Sequence, residues 1–216
     1  MSITTIAPPA AGRKRVKGKK KVRPTWEMAN LYPLQGQWTE DEYIKLTDDP
    51  VRVEFVDGYV EFLEMPTIAH DRLVKYLFLI LDAFVNKAKL GEVFISTTKT
   101  KLRELEIRMP DVFWVSNERL DRHTDDYFYG ADLIVEVVSQ DAKSRKRDLV
   151  DKRSSYADAG ITEYWIVDPK LESITVLKLS GNTYAVHGEF KQGQKATSVV
   201  LAGFEVDVSE ALAGRQ

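Results

Sequence analysis

Two apolar periodicities alternate along this chain, and the changes between them mark out its elements. Over residues 68–89, Leu73, Leu77, Ile80, Leu81, Phe84 and Ala88 recur at helical spacing, which predicts a long amphipathic helix. Gly91 lies just past its end, at a position suited to a C-cap. Elsewhere the period shortens. Residues 51–55 and 59–62 are two β-rich runs separated by Asp57-Gly58, the dipeptide of a type I′ hairpin turn. Further short strands are expected at residues 93–97, 99–103 and 111–115. Residues 133–138 are nearly continuously apolar, as in a central strand covered on both faces, and Glu136 is their one charged member. A polar helix is expected over residues 146–159, ending at Gly160, followed by a strand at 163–167. Residues 174–200 alternate around turn signals at Ser180-Gly181-Asn182 and Gln192-Gly193, the pattern of a β-meander. Residues 26–46 read as an irregular entry with one short helix, with Thr39 as N-cap and Glu40, Asp41 and Glu42 in its first turn. The fold class this implies is α+β with an α/β-like core: a mixed sheet flanked by helices, with an N-terminal β-hairpin and a C-terminal meander.

Composition narrows the chemistry. The 216 residues are 44% hydrophobic and 30% charged, the balance of a soluble globular domain. There are no cysteines, which excludes disulfides, zinc–thiolate sites, iron–sulfur clusters and a cysteine nucleophile, and fits a cytoplasmic protein. No segment approaches the roughly 18 apolar residues of a membrane span, and no apolar stretch near the start resembles a secretory signal, so no membrane partner is expected. Charge is uneven. Residues 1–23 carry eight Lys and Arg and no acid, so a net charge of −2 leaves −10 on the rest. These residues read as a disordered basic leader, either a simply solvated tail or an arm for nucleic acid. Residues 24–216 read as a single domain.

One acidic constellation carries the candidate chemistry. Asp111 follows Pro110 and opens a strand, and Glu136 sits inside another. If those strands are neighbours, the two carboxylates converge on one hard cation, Mg²⁺ or Mn²⁺, with the Val137 carbonyl as a further oxygen ligand. A carboxylate inside an apolar strand costs several kcal/mol, roughly, unless it is paired or metal-bound. On the following helix Asp148, Lys152 and Tyr156 are spaced i, i+4, i+8 and share a face, so an ammonium could reach the same point. Each residue taken alone also has a plain explanation. Glu136 can pair with a lysine, Asp111 can merely start a strand, and Asp148–Lys152 can be a surface helix pair. His70 opens the long helix and could reach the site or cap. With three histidines in all, a histidine-based metal site is not expected. The chain has no phosphate-binding P-loop and no G-x-G-x-x-G, so no nucleotide cofactor is expected. Ser139 lacks the setting of a serine nucleophile.

The order of these features resembles the PD-(D/E)XK nuclease superfamily and, more narrowly, the Uma-type restriction endonuclease family of bacteria. The residues that carry the resemblance are Val53-Glu54-Phe55-Val56-Asp57-Gly58, Met65-Pro66 with His70, Met109-Pro110-Asp111-Val112, residues 133–139, Asp148 with Lys152 and Tyr156, and residues 160–169. What it implies is a restriction-endonuclease-like fold and Mg²⁺- or Mn²⁺-dependent hydrolysis of DNA phosphodiesters. Asp111, Glu136 and Val137 would be metal ligands, with Glu54 as a third acidic member. Where the superfamily pattern carries its lysine two residues after the glutamate, this chain has Val138. The resemblance moves that lysine to Lys152; Lys146 and Arg147 lie nearer the helix start, and Lys99 and Lys101 are reserves. Cutting both strands calls for two sites, so a homodimer is expected. The alternatives are a nuclease-fold protein that binds DNA or a protein without cutting, and a regulatory domain whose acidic site only holds a cation.

Overall fold

The computed structural model describes residues 32–47, 51–139 and 142–213; the expected basic leader lies outside them. Helix α1 (Glu40–Leu46) opens with a capping box. Thr39 Oγ1 accepts from the Glu42 N–H, and the Glu42 carboxylate accepts from the Thr39 N–H. Strands β1 (Val53–Val56) and β2 (Tyr59–Phe62) pair antiparallel across Asp57 (φ 49°) and Gly58 (φ 80°). This is the two-residue turn expected from the sequence, because only a type I′ turn asks for two positive φ values in succession.

Helix α2 (Ile68–Ala88) follows, then β3 (Gly91–Ile95), β4 (Lys99–Arg103), β5 (Glu106–Arg108), β6 (Val112–Ser116), β7 (Tyr127–Tyr129) and β8 (Leu133–Val137). The buried stripe of α2 is Leu73, Val74, Leu77, Leu81 and Val85, rotated slightly from the expected one; Ile80 and Phe84 are half-buried and Ala88 is exposed. The helix stops at Lys89, which itself takes the left-handed conformation (φ 55°). Gly91 is needed for another reason. It enters β3 at φ 131°, where an added Cβ would stand 2.0 Å from the Val115 carbonyl oxygen.

The polar helix divides into α3 (Ala142–Lys146), one π-helical turn (Arg147–Asp151) and α4 (Lys152–Asp158). It begins four residues earlier than expected, because the polar run at its start gives no apolar period to mark a boundary. Beyond it come β9 (Glu163–Asp168), β10 (Ser173–Ser180), β11 (Thr183–Lys191), β12 (Lys195–Thr197), β13 (Glu205–Asp207) and α5 (Val208–Ala213).

The strands form two larger sheets and one small one. Five strands lie in the order β2-β1-β5-β4-β7 and six in the order β11-β10-β9-β8-β6-β3, while β12 pairs with β13. Within the six-stranded sheet β8 and β9 are parallel and the other neighbours antiparallel, so the sheet is mixed. Alternation sorts its side chains. Val112, Trp114, Leu133, Val135 and Val137 pack with Leu73, Leu77 and Leu81 of α2. Phe113, Val115, Ile134 and Tyr164 pack with Tyr156 and Ala157 of α4 on the opposite face. Glu136 has the same parity as Ile134, which puts it on the α4 face. A smaller core joins Val53, Phe55, Val60 and Ile107 of the five-stranded sheet to Tyr43 of α1. No described helix is long and apolar enough to cross a membrane.

Candidate active site

Strands β6 and β8 are direct neighbours, paired Val112↔Val135 and Phe113↔Ile134. Continuing that register by one residue sets Asp111 opposite Glu136. The Asp111 Oδ2 accepts the Val137 N–H at 2.9 Å, which ties the carboxylate to the end of β8. Across from it, Glu136 Oε1 accepts from Lys152 Nζ at 2.8 Å and from the Tyr156 hydroxyl at 2.6 Å. The i, i+4 spacing of Lys152 and Tyr156 thus brings two donors onto one oxygen. Lys152 Nζ lies also 3.5 Å from Asp148 and 3.3 Å from Glu54.

Four of the expected residues therefore meet around one ammonium: Glu54, Glu136, Asp148 and Lys152. Asp111 stands on the adjoining strand, with His70 Nε2 at 3.3 Å from its Oδ2. A cleft of about 390 Å³ opens over this point, lined by Arg52, His70, Asp111, Glu136, Arg147 and Lys152, among others. Val137 and Asp148 reach it too.

Glu54 is placed differently from the expectation that it joins the metal ligands. It is fully buried, and both of its oxygens are engaged. Oε2 accepts from Arg108 Nη1 at 2.9 Å; Oε1 accepts from the Met109 N–H at 3.2 Å and faces Lys152. It does not line the cleft. Its position is that of a counter-ion behind Lys152. Of the other lysines considered, Lys99 bonds Thr47, Lys101 pairs with Glu40, and the exposed Lys146 pairs with Asp151; none of the three lines the cleft.

Arg108 is a member of this cluster that no local sequence pattern marks. This guanidinium is buried in β5 between Glu54 and Glu106, which it bonds at 2.9 and 2.8 Å. Residues 106–108 are too short a run to show alternation. Its necessity shows only once Glu54 is seen to be fully buried, because a buried carboxylate demands a cation from some other strand.

The charges explain the electrostatics. Burial alone would raise the Glu54 carboxyl, but Lys152, Arg108 and Arg147 outweigh it and hold the group at about 2. Glu136 goes the other way: burial, with Asp111, Asp148 and Glu54 nearby, pushes it up to about 8 despite Lys152. Asp148 is raised chiefly by burial. Burial would strip the proton from Lys152, yet Glu136, Glu54 and Asp148 keep its pKa above the ordinary lysine value. Asp111 is buried, which would raise it, but His70, Lys152 and the Val137 N–H hold it below the ordinary aspartate value. A cation placed beside Asp111 and Glu136 would favour the ionised form of both carboxyls.

Among the described residues no three or more His, Cys, Asp or Glu side chains gather closely enough to hold a metal by themselves. The donor set fits a hard divalent ion in a narrower way. Among the described residues the bonds to Asp111 fall on Oδ2 and those to Glu136 on Oε1, which leaves Oδ1 and Oε2 with capacity for a further partner. Mg²⁺ is commonly held by one or two carboxylates, with waters and substrate phosphate completing its shell.

A solved structure described as a putative nuclease belonging to DUF820 from Anabaena variabilis superposes with a TM-score of 0.68 over 85% of this chain and 100% of that one. The two sequences are 13% identical, so the likeness is one of fold. No curated protein matches. The model of the family Uma2, described as "Putative restriction endonuclease", matches residues 40–209, and this chain belongs to that family.

Proposed function

We propose that this protein is a DNA endonuclease that hydrolyses phosphodiester bonds with the help of Mg²⁺ or Mn²⁺ at the Asp111–Glu136–Lys152 cleft. The observation that carries this is the meeting of two carboxylates from adjacent strands with a buried ammonium at the floor of an open cleft. Asp111 Oδ1 and Glu136 Oε2 would hold the ion, with the Val137 carbonyl as a further candidate ligand. When bound there, the ion would polarise the scissile phosphate and the water that attacks it.

The chain's own residues have distinct parts. Lys152 remains a cation because three carboxylates surround it, so it acts by charge and orientation and not by removing a proton. It can hold the attacking water and offset the negative charge that develops on phosphorus. Tyr156 and Glu54 fix the geometry of Glu136 and Lys152 respectively. Arg52 and Arg147 give the cleft two guanidinium groups for the phosphates on either side of the cut. A two-strand cut would use a homodimer.

Supercoiled plasmid incubated with the full chain and Mg²⁺ or Mn²⁺ is expected to be nicked, and EDTA to stop the reaction. Retardation of DNA with no cleavage in either metal would favour a nuclease-fold binding protein instead. Val138, standing where the superfamily motif carries its lysine, is the feature that supports that alternative.

A further inference from the structure

The first turn of α2 carries an imidazole onto one of the two cleft carboxylates. Thr67 caps the helix, its Oγ1 accepting the His70 N–H at 3.2 Å, and this sets His70 at the third helical position. The His70 side chain is largely buried, and its Nε2 stands 3.3 Å from Asp111 Oδ2. That same oxygen takes the Val137 N–H. On the other side of the ring, Nδ1 is buried and has no hydrogen-bond partner among the described residues. A buried ring nitrogen left without a partner is costly. The ring therefore takes its polar anchorage at Nε2, on Asp111.

We propose that His70 is a positioning residue for Asp111: with the Val137 N–H it fills Oδ2, stops the carboxylate from rotating, and leaves Oδ1 to face a cation. This rests on Asp111 being a metal ligand, as proposed above. An aspartate tied by one oxygen at the end of a strand could still swing, or offer both oxygens to the ion. One held from two directions at Oδ2 presents a single oxygen in a single orientation. Partners of metal-binding carboxylates commonly matter in this way, because they fix the ligand before the ion arrives. The sequence lets the chain place this contact rigidly. The capping threonine and the imidazole are three residues apart on a helix whose buried stripe is locked against the six-stranded sheet.

The full-length chain and its His70→Ala, His70→Gln and His70→Asn variants, titrated with Mn²⁺ by calorimetry without DNA, test the assignment. A glutamine amide nitrogen reaches about as far as His Nε2, whereas that of asparagine reaches only the Nδ1 position. His70→Ala and His70→Asn are expected to bind Mn²⁺ about 10- to 100-fold more weakly, with His70→Gln within about threefold of wild type. A packing role alone would not separate glutamine from asparagine. Unchanged affinity in His70→Ala, or rescue by asparagine as good as by glutamine, would overturn the proposal. If Asp111→Ala abolishes Mn²⁺ binding while His70→Ala leaves it intact, only the His70 role fails. If the wild-type chain binds no Mn²⁺, both that role and the metal site fail.

Discussion

Replacing Glu54 by glutamine keeps the shape of the side chain and removes its charge from the centre of the buried cluster. Glutamine could still accept from the Met109 N–H and from Lys152 on Oε1. Its amide nitrogen, however, would point donor to donor at Arg108 Nη1, which now stands 2.9 Å from Oε2. Arg108 would be left with Glu106, and Lys152 with Glu136 and Asp148. Two magnitudes agree on the cost. Breaking a buried ion pair by removing one partner costs about 3–5 kcal/mol. Independently, the native environment lowers the Glu54 carboxyl from 4.5 to about 2, a shift worth about 3 kcal/mol of stability. The sign follows from the depressed value. The contribution is complete above the unfolded value of 4.5 and disappears as the pH falls through about 2. Urea unfolding at pH 7 should therefore show Glu54→Gln less stable than wild type by about 3 kcal/mol, and the gap should shrink at pH 3. A gap under about 1 kcal/mol at neutral pH, or one that stays constant into acid, would refute the view that Glu54 is a charged support for Arg108 and Lys152.

Gly91→Ala should lower stability by about 3 kcal/mol or more, visible as a drop in Tm, because the strand offers no room for a Cβ near the Val115 carbonyl. Tyr156→Phe removes a buried donor to Glu136 and should cost about 1–3 kcal/mol in urea unfolding while reducing cleavage more than DNA binding. Deleting residues 1–23 removes eight cations and should both weaken DNA binding and flatten its dependence on salt in a filter-binding or anisotropy titration; an unchanged slope would mean the leader makes no phosphate contacts.

The elements with a strong local signal were legible in the sequence, and those that depend on distant partners were not. Asp57-Gly58 announces its turn because two successive positive φ values leave few residue choices. The stripe from Leu73 to Leu81 announces α2, and the nearly unbroken apolar run with Glu136 announces a strand covered on both sides. Gly91 was legible as a glycine that matters but not in its reason, since the carbonyl that excludes a side chain belongs to Val115 on another strand. The site shows the same division. Asp111, Glu136, Asp148, Lys152 and Tyr156 could be gathered from order and spacing. Arg108 and the interior placement of Glu54 could not, because the five-stranded sheet that joins β1 to β5 is built from pairings that no local pattern encodes.

The joint action of Asp111, Glu136 and Lys152 in cutting DNA is the core of the proposed function. Its most direct test is Mn²⁺-dependent nicking of supercoiled plasmid by wild type and by Asp111→Ala, Glu136→Ala and Lys152→Ala, with DNA affinity measured on the same preparations. Wild type is expected to nick the plasmid, and each variant that still binds DNA to lose that activity by about a hundredfold or more. Nicking that persists undiminished in any of the three would contradict it.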